Sequence, residues 1–96
     1  MLSSISEVST ASASTNLKKL CRHLSHKVEV TFDDAHGEVL FPFGSKGLLD
    51  ATNGLLRMTI EANDQEALDR TEQVMADHLV RFASRETLVV QWQRQN

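Results

Sequence analysis

The chain has 96 residues, enough for one domain that buries a core without help from disulfides or metal. Its net charge of −3 excludes a general nucleic-acid binder, which needs surplus Lys and Arg to displace counterions. One cysteine cannot form an internal disulfide, and no apolar run approaches the roughly 20 residues of a membrane helix. No basic-then-apolar leader is visible at the start, so the chain reads as soluble and cytoplasmic, without nucleic-acid or membrane partners.

Residues 1–11 are rich in Ser, Thr and Ala. Ile5 and Val8 anchor either a weak edge strand or nothing more than a flexible tail, because the alternation is poor. Ser12 or Ser14 is placed to cap a helix, in which Leu17, Leu20, Cys21 and Leu24 form an apolar stripe. From Val28 the period drops to two: Val28, Val30 and Phe32 alternate with polar residues, as in a half-buried strand. Asp33 to Gly37 is turn chemistry. Val39, Phe41 and Phe43 form the next inward row, and Pro42 places that strand at an edge or ends it. Gly44 and Gly47 flank a further break.

Leu48–Thr52 and Leu55–Ala62 read as two strands joined by Asn53-Gly54, a pair in which both residues tolerate positive φ. Asn63 with Glu66 resembles a capping box. The helix it opens runs to about Ala83, with Ala67, Leu68, Thr71, Val74, Met75, Leu79 and Phe82 on its apolar face. Thr87–Arg94 closes the chain as a strand, with Leu88, Val90 and Trp92 pointing one way. The predicted order is (β)-α-β-β-β-β-α-β. One polar face per strand and hairpin links imply a mostly antiparallel sheet. Two amphipathic helices on its apolar face make a single α+β domain over residues 1–96, a two-layer sandwich.

Chemistry near neutral pH concentrates in Cys21, His23, His26 and His78. His23 and His26 stand three apart at a helix end, on neighbouring ridges, where two imidazoles can share a metal. Cys21 points instead into the apolar stripe, so Cys21-x-His23-x-x-His26 is no zinc-finger pattern. His78 falls within the second helix's apolar stripe. Two readings of it stay open: a buried imidazole bonded to backbone, or a ligand-binding group converging with His23 and His26 on a transition metal. Arg81, one turn on, either holds a carboxylate or phosphate bidentately or pairs with Asp77 or Glu86. Trp92 reads as core packing or as a ligand platform. No P-loop, dinucleotide fingerprint, nucleophile elbow or His-Glu-x-x-His occurs.

Leu17 to Lys27, Phe41-Pro42-Phe43-Gly44, His78 to Ala83 and the closing Trp92 together resemble a bacterial family of small domains of unknown function. The resemblance spans about Ser6 to Arg94. It implies relatives that occur alone or appended to flavin-containing siderophore-interacting reductases, hence an accessory role in iron acquisition with such a reductase as partner. It points to Cys21, His23, His26, His78 and Arg81, and it carries no catalytic assignment.

The leading expectation is a non-enzymatic binding domain tied to metal or ferric-siderophore handling, with metal at His23, His26 and His78 and ligand contacts from His78 and Arg81. A self-associating interaction module, built on an open sheet edge, is the alternative. A small His-dependent enzyme is the third, and it requires a pocket with an imidazole in reach of a second titratable group.

Overall fold

Asn53-Gly54 closes a tight hairpin between β4 (Ser45–Thr52) and β5 (Leu55–Ala62), registered from Ser45↔Ala62 to Thr52↔Leu55. Gly54 alone of the pair takes positive φ, +76°, so Asn53 keeps an ordinary backbone. The preceding hairpin joins β3 (His36–Phe41) to β4 through Pro42-Phe43-Gly44, with Gly44 at φ +86°. A three-residue loop closed by a left-handed glycine is a favoured hairpin geometry. Pro42 thus ends β3. Gly47 lies inside β4 rather than at a break, and β4 starts three residues earlier than the sequence pattern predicts. β2 (Glu29–Phe32) joins β3 through a turn in which the Asp33 carboxylate accepts from the N–H groups of Ala35 and His36, each at 2.8 Å.

The structure is a computed structural model that describes residues 2–83 and 87–95. Its remaining elements are β1 (Leu2–Ser9), α1 (Ala13–Leu24), α2 (Gln65–Phe82) and β6 (Gln93–Arg94). The element order and the α+β class follow the sequence reading. All strands join one antiparallel sheet in the order β2-β3-β4-β5-β1-β6.

β1 is the main departure. It is neither an edge nor a tail, and it pairs with β5 along its whole length, from Leu2↔Ala62 to Ser9↔Leu55. Its inward row includes Ser4, Ser6 and Val8, all buried, while Ile5 takes the opposite face. The final strand also differs, since only Gln93–Arg94 pairs with β1. Leu88, Val90 and Trp92 nonetheless pack half-buried against the core.

α1 starts at the predicted place, with Ser12 as its N-cap residue. Ser12 makes no side-chain cap bond; the Thr10 hydroxyl accepts from the Ser12 N–H and from the buried Asn16 amide. The α2 cap is Asp64, one residue after Asn63, and its carboxylate accepts from the Ala67 N–H at 2.8 Å. Both helices lay their stripes on the inward sheet row. Leu17, Leu20, Leu68, Met75 and Leu79 are fully buried there against Leu49, Leu56, Met58 and Ile60.

Two inward glycines mark the closest approaches. A Cβ on Gly37 would lie 2.8 Å from Cys21 Sγ, and one on Gly47 would lie 3.2 Å from Met75 Cε. Gly37→Ala is therefore expected to lower stability by about 1–3 kcal/mol through overpacking. In a Cys21→Ala background the same change should cost less than about 1 kcal/mol, because the sulfur it meets is gone. Urea melts of the four chains test this, and equal costs in both backgrounds would show that the sulfur does not set the approach.

Candidate functional site

The last turns of the two helices meet over one end of the sheet. His23 lies in the final turn of α1, and its ring centroid is 5.0 Å from that of His78 on α2. Phe82, one turn beyond His78, lies 4.8 Å from His23 and 6.5 Å from His78. The three tilted rings form a half-buried cluster. His78 Nδ1 sits 2.7 Å from the Val74 carbonyl oxygen. A carbonyl only accepts, so Nδ1 carries a proton and donates it to this bond. A backbone carbonyl orienting an imidazole this way also raises its strength as a metal ligand.

His26 falls outside α1, in the exposed turn after Leu24, where its N–H donates to the His23 carbonyl. The helix ends before the two histidines can share its ridges. Two imidazoles meet, and His26 stands apart from the ring cluster. Among the described residues, no group of three or more His, Cys, Asp or Glu side chains is placed to hold a metal ion. Cys21 is fully buried, and burial pushes its thiol up to about 11. Such a thiol stays protonated and is a poor nucleophile.

Burial lowers the His23 pKa, and His78, Lys27, His26 and Arg81 lower it further by charge. Among the described residues, every charged neighbour that acts on this imidazole is thus a base. Arg81 is exposed on the flank of the cluster. Its expected partner Asp77 instead accepts from the Gln73 amide at 2.9 Å, and Glu86 lies outside the described residues. Among the described residues Arg81 makes no ion pair. Trp92, half-buried, lines a shallow groove with Asp69, Glu72 and Val90. Beside it Arg94 bridges Asp69 at 2.5 Å and Glu72 at 2.9 Å, tying β6 to α2.

A second locus was not apparent from the motifs. On the outer face of the sheet His36 Nδ1 lies 2.5 Å from Asp50 Oδ1. The two residues face each other in the β3–β4 register. They line a cleft of about 490 Å³ with Thr31, Asp33, Glu38 and Leu48. Hairpin register is the signal that would have revealed them, because counting back from the Phe41–Gly44 turn sets His36 opposite Asp50.

These features define a small two-layer α+β domain whose titratable groups gather at the helix ends and on the outer sheet face. Among the described residues no helix is long and apolar enough to cross a membrane. Residues 5–93 match the family DUF2218, described as an uncharacterized protein conserved in bacteria, and the chain belongs to that family. The NMR structure of PA4090 from Pseudomonas aeruginosa is similar at 35% identity and a TM-score of 0.80, over 97% of this chain and 96% of that one. No curated protein matches the chain.

The lowered pKa of His23 sets a pH window. Its folded value lies below the ordinary 6.5, so the stability it contributes is present above pH 6.5 and is lost as pH falls through the folded value. Asp33, held low by the Ala35 and His36 N–H groups, adds a loss at more acidic pH, below its ordinary 3.8. Melting temperature against pH should show two declining steps. His23→Phe should remove the upper step and leave the lower, and an unchanged upper step would assign it to another group.

Proposed function

We propose that the protein is a non-enzymatic binding domain that holds an anionic ligand at the His23–His78 cluster. The observation that carries this reading is the pairing of two imidazoles 5.0 Å apart, beside Arg81 and Lys27. A half-buried patch of bases with aromatic walls attracts a planar anion. Arg81 supplies a fork of donors, and the rings supply stacking surface. The bound anion would favour protonated His23, reversing the field that now lowers its pKa.

The iron-acquisition role implied by the resemblance fits this chemistry. Ferric chelates of catecholate or hydroxycarboxylate siderophores include anionic, ring-bearing ligands, and a siderophore-interacting reductase in the cytoplasm is the partner such a domain would serve. A bare metal ion is the less favoured cargo, since two imidazoles would leave most of its coordination to other groups.

Titration with phosphate, citrate and a ferric catecholate, followed by the imidazole resonances, tests the reading. The His23 pKa should rise on saturation, and Arg81→Ala should weaken binding about tenfold, the loss of one charge-assisted contact. Zinc titration is the parallel arm: strong zinc binding that ignores Arg81→Ala would replace the anion with a metal. Imidazole signals unmoved by all four additions would overturn both forms.

A second reading rests on the His36–Asp50 pair. A carboxylate on Nδ1 orients an imidazole that lines the cleft, the arrangement a small histidine enzyme needs. Hydrolysis of activated esters by the protein and by His36→Ala should then differ at least tenfold, and equal rates would remove this reading.

A further inference from the structure

One edge of the sheet is open and the other is closed down. β6 contributes only two residues, held to α2 by Arg94. At the opposite end β2 pairs, among the described residues, only with β3. Its inward row is apolar, with half-buried Val28 and Val30 and Phe32 at 37% exposure. Leu40 of β3, opposite Glu29 on the outer face, is also exposed. β2 has no proline, and Glu29 is its one charge. It therefore lacks most of the features that keep an edge from pairing.

The hydrogen-bond alternation shows which groups face outward. The Asp33 N–H donates to the His36 carbonyl, so Asp33↔His36 is a bonded pair. Antiparallel ladders alternate bonded and non-bonded pairs. In the β2–β3 register, Thr31↔Glu38 and Glu29↔Leu40 are then bonded, while Phe32↔Gly37 and Val30↔Val39 are not. The Ala51 N–H bond to the Ala35 carbonyl sets the same phase from the β4 side. Val30 and Phe32 thus turn both backbone groups to the open edge.

We propose that β2 pairs antiparallel with β2 of a second copy of this chain, about a two-fold axis at Val30, joining two sheets into one. Charge selects this register. Centred on Val30, Glu29 faces the second copy's uncharged Thr31. A shift of the axis to Glu29 sets two carboxylates against each other, and a shift to Thr31 sets Glu29 against the second copy's Asp33. On the inward face the Val30 register stacks Val30 on Val30 and Phe32 beside Val28, all apolar. Both backbone groups of Val30 then find partners across the axis. An isologous contact of this kind closes after two copies. It is independent of the anion reading, since the His23–His78 cluster lies on the helices.

Sedimentation equilibrium from micromolar to millimolar protein tests the proposal, with thermal melts as a check on folding. The wild type should dimerise reversibly. Thr31→Lys, which faces the second copy's Glu29 twice, should tighten the dimer about three- to tenfold. Adding Glu29→Lys to that variant sets Lys against Lys and should weaken it below wild type. Val30→Pro removes an N–H that the β2–β3 ladder does not use and should yield a folded monomer. A monomer at every concentration overturns the proposal. So does a dimer indifferent to the lysine pair, which would place the interface elsewhere.

Discussion

Two bare Cα atoms decide how this molecule is assembled. Gly37 and Gly47 lie on the inward row of adjacent strands, and each leaves room for one helix to bear directly on the sheet. Cys21 of α1 occupies the space above Gly37, and Met75 of α2 the space above Gly47. The heights and positions of the two helices follow from these contacts. The histidine cluster follows in turn, because His23 is two residues after Cys21 and His78 is three after Met75. A Cβ at Gly37 would press on the Cys21 sulfur, two residues from His23, whereas one at Gly47 would meet the flexible end of Met75. Packing and site therefore share a cause, and the candidate site lies where close-packed interiors tolerate the least change.

Apolar periodicity made most of this fold legible. The stripe Leu17, Leu20, Cys21, Leu24 and the longer one from Ala67 to Phe82 give the helices, and the alternation from Val28 and from Leu55 gives strands. β1 was obscure for a physical reason: its inward positions include the buried Ser4 and Ser6, so a strand with one buried face shows no apolar rhythm. Ser12 keeps the α1 N-cap position without a side-chain bond, and Asp64 took the α2 cap from the neighbouring Asn63, because caps depend on local φ and ψ, which composition does not encode. The fall of His78 within its helix stripe was readable. Its meeting with His23 was not, since that depends on where two helices cross.

The outer face shows a different kind of order. Register sets His36 opposite Asp50, Asp50 opposite Arg57, and Arg57 opposite Glu7, a row that crosses β3, β4, β5 and β1. Acidic residues alternate with His and Arg along it, with contacts of 2.5 Å at one end and 3.9 Å at the other. Two rows along on the same face, Lys46 stands against Glu61 at 3.6 Å. Each pair is exposed and adds little stability alone. Together they fix which strand lies beside which, because a slip of one residue would break the alternation as well as turn the apolar row outward.

His36 and His23 illustrate how one residue type is put to opposite uses by its surroundings. His36 is a non-bonded partner in the β3–β4 ladder, the pairing that brings side chains closest, so its ring reaches a carboxylate directly across the strand. His23 is ringed by bases and aromatic surface, with Lys27, His26 and Arg81 in electrostatic reach. A carboxylate satisfies the first from within the fold. Among the described residues no carboxylate pairs with the second, so the same side chain sits beside an acid on the outer sheet face and beside bases at the helix ends.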